Sequence, residues 1–357
     1  MTLTSSAETH THTDADAPPA SGGRPRVDPG GAGRATDAGR PSRAGRLARG
    51  AARRVGGAVV VLAGAATVAF VAQAVLPGDR ATVIFNTRAG QAIERTPEEL
   101  AAINAEYGLQ HPLVVQYVDY MKGLLVGDLG SSYQQHRPVT QIIGEQLAPT
   151  LVLTLSAIVL AWLLMVAWVT LTAGRGPRLR AVGEAVDTAS AAVPHYWLGV
   201  ILLMAFALRL GIAPVISGST PAGLLLPALT LAIPLAGFMG QATRTEFERS
   251  LDQPFVTTAR LRGMGDLGVR LRHVLRHSAL PAVTLSGWAL GATISGAVVV
   301  ESVFTRPGIG RVLVNAVNSQ DLPIVTGVVV LIAALYVVAN LIVDVVHTAL
   351  DPRVTTA

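Results

Sequence analysis

Residues Thr150–Ala173 read TLVLTLSAIVLAWLLMVAWVTLTA, 24 positions without one charged side chain. A hydrocarbon layer about 30 Å thick is crossed by about 20 helical residues, and this run meets that length. Five further uncharged runs match it: Val55–Leu76, Thr188–Leu208, Leu224–Thr243, Ser278–Val300 and Leu322–Val343. In lipid only a helix or a closed barrel satisfies its own backbone polar groups. Six such runs therefore predict an all-α, polytopic membrane protein with six transmembrane helices.

Composition agrees. Charged residues make up 14% of the chain, against about 25% in a soluble one. There is no cysteine, which excludes disulfides, thiolate nucleophiles and thiolate metal sites. The single lysine, Lys122, lies between Met121 and Gly123. The Gly-Lys-Ser/Thr cradle of a P-loop is thus absent, and the chain is not expected to hold nucleotide itself.

Arginine placement predicts the topology. Nine arginines precede the first run, and Arg175, Arg178 and Arg180 follow the second. The loop after the fourth run carries Arg244, Arg249, Arg260, Arg262, Arg270, Arg272 and Arg276. Across the membrane, 211–223 has no basic residue, and 77–149 has five against eight acidic ones. Both termini are expected in the cytoplasm. Residues 1–54, rich in small and polar residues, read as a disordered basic tail, where His10 and His12 are a weak metal pair. The membrane-spanning body is expected over 55–353, with 77–149 outside, 244–277 a cytoplasmic loop and 354–357 a short tail. Thr96-Pro97-Glu98-Glu99 reads as a capped helix start outside.

Ionisable residues beside the runs, including Glu184, Asp187, Arg209 and Asp344, are expected at the interfaces, facing water. Small residues Gly287, Gly291 and Ser295 recur at every fourth position, a stripe on which another helix can pack. In the basic loop, Gln253 to Gly265 reads as a short helix started by Pro254 and ended by Gly263, where a positive φ is expected. A second helix follows, with Leu267, Leu271, Val274 and Leu275 as its apolar face.

That loop resembles the EAA-type coupling loop of binding-protein-dependent ABC importer permeases, and specifically the B-type subunit of the dipeptide/oligopeptide/nickel group. Thr257-Thr258-Ala259-Arg260-Leu261-Arg262-Gly263 stands where that group has Arg-Thr-Ala-Arg-Ala-Lys-Gly. Similar motifs run in order along the chain: Leu76-Pro77-Gly78-Asp79, Tyr107-Gly108-Leu109-Gln110-His111-Pro112-Leu113, Gly127-Asp128-Leu129-Gly130-Ser131-Ser132, Pro194-His195-Tyr196-Trp197-Leu198-Gly199, Leu226-Pro227-Ala228-Leu229-Thr230-Leu231, Val300-Glu301-Ser302-Val303-Phe304-Thr305-Arg306-Pro307-Gly308-Ile309-Gly310 and Leu350-Asp351-Pro352-Arg353. Arg262 replaces the usual Lys, Pro254-Phe255 the usual acidic-aromatic pair, and Arg306 an aromatic or aliphatic residue.

The resemblance implies a type I ABC importer permease in a bacterial cell membrane. It implies a second homologous permease subunit, two cytoplasmic ATPase subunits and an extracytoplasmic substrate-binding protein as partners, without nucleic acid. ATP and Mg would sit on the ATPases, with no cofactor, catalytic residue or metal in this chain. Thr257, Thr258, Ala259, Arg260, Arg262 and Gly263 would couple to the ATPase. Peptides or a nickel chelate would be the solute. An ion-coupled secondary transporter is the alternative, and it should show mid-membrane carboxylates and inverted repeats. An intramembrane enzyme would need a catalytic pair that His195 lacks. Purified without partners, the chain should show no saturable ATP binding by calorimetry.

Overall fold

Uncharged runs become helices, and the prolines and glycines between them decide where each one stops. The computed structural model describes residues 43–75, 78–90, 95–218 and 220–350. Of the expected tail over 1–54, residues 1–42 lie outside the described residues, whereas 43–54 are helical and open the helix of the first span; the expected closing tail 354–357 lies within 351–357, also outside the described residues. Contacts divide the chain into Met1–Arg49 and Gly50–Ala357. Among the described residues, the first holds the opening turns of the first helix, and the remaining elements belong to the second.

In chain order the helices are α1 (Arg43–Val75), α2 (Arg80–Ala89), α3 (Pro97–Glu106), α4 (Leu113–Leu125), α5 (Val139–Thr172), α6 (Pro177–Ala192), α7 (His195–Leu202), α8 (Pro221–Leu251), α9 (Pro254–Leu261), α10 (Asp266–Val269), α11 (Leu275–Ser278), α12 (Leu280–Val303), α13 (Ile309–Asn318) and α14 (Leu322–Leu350). π-helical turns continue α7 over Leu203–Arg209 and join α10 to α11 over Arg270–Val274. The described residues contain no strand, only an isolated bridge between Ser131 and Pro138.

Five helices are long and apolar enough to cross a membrane: α1, α5, α8, α12 and α14. The expected third span, Thr188–Leu208, is not one straight helix. It divides between α6 and α7, which meet at a bend of 100°. Pro194 is the cause. It has no N–H to donate and forces the residue before it out of the helical region. Val193 accordingly sits at φ −74°, ψ 124°. Counting the bent pair as one span gives the expected six.

The core begins as a ridge on α5. Leu153, Ala157, Ala161, Met165, Val169 and Ala173 repeat every fourth residue, and all are buried. Three of the six are alanines, so the neighbouring helix approaches closely. That neighbour is α8, with Leu231, Leu235 and Met239. α6 crosses α8 at Gly237, where a Cβ would lie 2.6 Å from Asp187 O. The stripe on α12 divides. Gly287 receives Val343 and Gly291 receives Tyr336, both from α14, whereas Ser295 is exposed.

Two ends can be distinguished. The loop end holds α9 to α11. The hairpin end holds α2 to α4 and the α12–α13 turn. α3 opens as the sequence predicts: Thr96 and Glu99 form a reciprocal capping box. At the α12–α13 turn the Glu301 carboxylate, fully buried, accepts from Thr150 Oγ1 (2.6 Å) and the Gly310 amide (2.7 Å). The Thr150 hydroxyl in turn accepts from the Ile309 amide (2.9 Å). A carboxylate at the first amides of α13 is where a helix favours negative charge. A Cβ at Gly308 would collide with that carboxylate, and one at Gly310 with the Val298 backbone.

Gly310→Val should therefore lower stability by about 1–3 kcal/mol, read as a fall in melting temperature in detergent. Gly144→Ala, in α5 with nothing near its Cβ position, should stabilise by up to about 1 kcal/mol. Equal effects would contradict this packing.

Candidate functional site

α8 runs eight residues past the expected end of its span, to Leu251, so Arg244 is a helix residue and not a loop residue. Its side chain is buried against Asp187 of α6, which is buried too, with Nε 2.7 Å from the carboxylate. Nη1 donates to Thr172 Oγ1 at 2.8 Å. Asp187 thus corrects the expectation that it faces water. It is inside because Gly183 and Gly240 leave room. A Cβ at Gly183 would meet the Arg244 guanidinium, and one at Gly240 the Asp187 carboxylate.

After Asp252 and Gln253 the chain turns into α9, begun by Pro254 as expected. Gly263 closes it at φ +81°, the left-handed conformation the sequence predicts and one that costs a side-chain-bearing residue about 1–2 kcal/mol. Thr257, Thr258, Arg260, Arg262 and Gly263 are exposed on one surface. Ala259 is not among them. With Val256 it is buried in the core that contains Phe247, Val269 and Val274. The six loop residues therefore split into five that face outward and one that anchors the helix.

The second half of the loop differs from its expected register. Leu267 and Leu271 are exposed, while Val269, Arg270 and Val274 are buried. The π turn is the physical reason: its wider winding brings positions five apart, Val269 and Val274, onto one face. Arg270 goes inside with them. Its Nη1 donates to Ala173 O (2.7 Å) and Thr170 O (3.1 Å), carbonyls in the last turn of α5 and just past it. A cation at a helix C-terminus meets the negative end of the dipole and carbonyls that lack helical partners. Its Nε donates to Asp266 (2.9 Å), which also receives Arg175 (3.0 Å) and lies 3.6 Å from Arg260. Burial pushes the Arg270 guanidinium below its ordinary value, and Asp266 offsets part of that.

Between α9 and the π turn lies an open groove of about 580 Å3, lined by Phe255, Thr258, Arg262, Met264, Arg272 and His273. Arg262 makes no ion pair within the described residues. The arrangement is a short helix pinned from behind by apolar contacts and Arg270, with a basic, small-residue face turned outward. It has no catalytic constellation. It suits docking against an acidic surface.

Sequence reasoning missed Arg270, Arg244 and Asp187 as anchors. Spacing held a signal for one: Asp266 and Arg270 are i, i+4 partners.

A multi-span bundle with a pinned, outward-facing loop helix defines a transport-protein membrane subunit. Residues 157–356 match the family described as "Binding-protein-dependent transport system inner membrane component", and residues 47–154 match its N-terminal counterpart. The chain belongs to this family. It is similar to the glutathione transport system permease protein GsiC of Salmonella choleraesuis, with 32% identity over 303 residues, 85% of this chain and 97% of that one. It is 33% identical over 281 residues to GsiC of Escherichia coli, covering 78% and 90%. It is also 33% identical over 313 residues to the "Probable peptide ABC transporter permease protein y4tP" of Sinorhizobium fredii, covering 85% and 97%. The protein is a multi-pass membrane permease subunit of an ABC importer, and the ion-coupled alternative is not favoured.

Removing one partner of a buried ion pair strands the other charge. Arg244→Ala should cost about 3–5 kcal/mol, whereas Asp187→Leu with Arg244→Met should cost far less. Thermal unfolding of the three proteins in the same detergent checks this. A double variant as unstable as the single one would contradict it.

Proposed function

We propose that this chain forms half of the translocation pathway of an ATP-driven importer for short peptides or a related small solute such as a nickel chelate. The printed activities of its relatives, glutathione and peptide transport, support that solute class. The other half is a second, homologous permease subunit. Two ATPase subunits lie beneath and carry ATP and Mg, because this chain has no phosphate cradle. A substrate-binding protein delivers the solute from outside. The loop end is cytoplasmic, as are both termini. After Arg244 and Arg270 are set aside as buried anchors, Arg249, Arg260, Arg262, Arg272 and Arg276 still weight that end with positive charge.

The observation that carries the reading is the two-sided character of α9. Val256 and Ala259 hold one side in the core. Thr257, Thr258, Arg260 and Arg262 turn the other outward. A helix held this way transmits a push as rigid-body motion. When the ATPases close on nucleotide, force on the outward face passes through the apolar contacts to α8 and through Arg270 to the end of α5. Arg262 offers a planar fork to an acidic group on the ATPase.

Gly263→Asp and Thr258→Trp act on the outward side and should leave the bundle folded. Both should reduce recovery of the assembled complex or its substrate-stimulated ATPase activity by tenfold or more, and abolish uptake. Ala259→Trp would instead overfill the core and should lower thermal stability. A loop that merely lies on lipid headgroups would leave recovery, stimulation and uptake normal for the first two variants.

Orientation has its own test, made clean by the absence of native cysteine. A cysteine at exposed Ile212 should react with an impermeant reagent added to intact cells. One at Thr258 should react only after the membrane is opened. The reverse pattern would overturn the topology.

A further inference from the structure

At the hairpin end, a cavity of about 300 Å3 opens between the outer part of α1, the start of α2, α4, the 128–133 segment and the start of α14. More than nine-tenths of a buried polar population normally finds a hydrogen-bond partner. Here one cationic group facing the space is left incomplete. Gln73, 8% exposed, turns its amide toward the same space. Arg80 is held by Nη1 to Gln116 Oε1 at 2.9 Å, but its Nε is buried without an acceptor. Tyr120 Oη is buried and bonded to the Thr326 hydroxyl, which itself donates to Leu322 O. An unpaired donor of this kind is costly, so the cavity suits an occupant that supplies an acceptor to Arg80.

Charge narrows the occupant. The guanidinium of Arg80 asks for an anion. Asp119 and Asp128 are exposed at the same cavity. Asp119 meets Lys122 through Oδ1 (3.2 Å), and Asp128 uses Oδ1 for the Gly130 amide (2.8 Å). Neither Oδ2 is engaged, so each can accept from an ammonium group. The aromatic wall is uncharged: burial pushes the Tyr133 phenol up to about 12. A cation inside, carboxylates at the mouth and apolar rings between them match a small zwitterion. The volume is at the low end of ligand sites, which suits a dipeptide and not a long peptide.

We propose that this cavity is a binding site on the permease itself for a free dipeptide-class zwitterion, its carboxylate on Arg80 and Gln73 and its ammonium on Asp119 or Asp128. The inference rests on the peptide reading above for its solute class. The site would hold solute on the outer side of the bundle, separately from the binding protein.

Radiolabelled alanyl-alanine is the probe, applied to the assembled complex in nanodiscs without binding protein. The wild-type complex should bind it saturably. Arg80→Gln and Gln73→Leu should each weaken binding tenfold or more, and Arg80→Lys should restore part of it. Arg137→Gln, on an exposed pair with Glu145 away from the cavity, should bind like wild type. Melting temperature and recovery identify any variant that fails to fold, and the other variant then decides. No saturable binding, or binding unchanged in Arg80→Gln and Gln73→Leu, overturns the site. Uptake of the same dipeptide by the complex with its binding protein is measured in parallel. Uptake without permease binding sinks the site and leaves the transport reading standing. Binding without uptake of any peptide leaves the site and sinks that reading.

Discussion

The structure depends on two buried arginines that end α5. Arg270 takes the carbonyls of Thr170 and Ala173, and Arg244 takes the Thr172 hydroxyl together with Asp187. Three segments distant in sequence, α6, the end of α8 and the loop after α9, are thereby tied to one helix terminus. An isolated charge in a low-dielectric setting is costly, so these side chains stay inside only while every partner is in place. That requirement makes the loop end cooperative: α9 cannot shift by itself without exposing or stranding a guanidinium. It is the property a transmission element needs, because a compliant joint would absorb the push.

The hairpin end uses carboxylates in the same way. Glu301 holds the first amides of α13 and the Thr150 hydroxyl. Asp321, also buried, accepts from Ser132 Oγ (2.5 Å) and the Tyr133 amide (3.1 Å), which fastens the segment before α5 to the start of α14. Arg306 donates to Gly218 O at 2.8 Å and draws in the loop after α7. Between the two ends the contacts are of another kind. Alanines of α5 meet α8, and Gly287 and Gly291 receive Val343 and Tyr336. Such small-residue contacts are set by shape and have no charge to strand.

Much of this was legible from sequence. Uncharged length gave the spans, but not that Pro194 would divide the third and turn the chain through 100°. The capping box at Thr96 and the left-handed Gly263 follow from local backbone chemistry, and local chemistry is written in adjacent residues. What failed was long-range. Asp187 and Arg244 are 57 positions apart, and nothing near either one says that the other will be opposite. An interface position was the reasonable reading of each alone. The π turn at Arg270–Val274 failed for a related reason: a helical-wheel argument assumes constant winding, and one wider turn moved Leu271 out and Arg270 in. Ala259 shows the limit of arguing from size. A small residue permits close approach to a partner or to its own core, and only the fold says which.

Charge at the ends and small apolar residues between them make a mechanical argument. Rigid-body motion needs elements that are stiff internally and free to move against one another. Paired buried charges supply stiffness, since half-broken arrangements are high in energy. Glycine and alanine contacts supply the freedom, since sliding one helix on another exchanges similar dispersion contacts and breaks no hydrogen bond. A permease with mid-depth ion pairs would resist that sliding, and the described residues place none there. The same logic explains why α9 can be so short. α9 need bury only Val256 and Ala259 to be held, because Arg270 behind it already joins the loop to α5. Its remaining residues are left free to meet a partner.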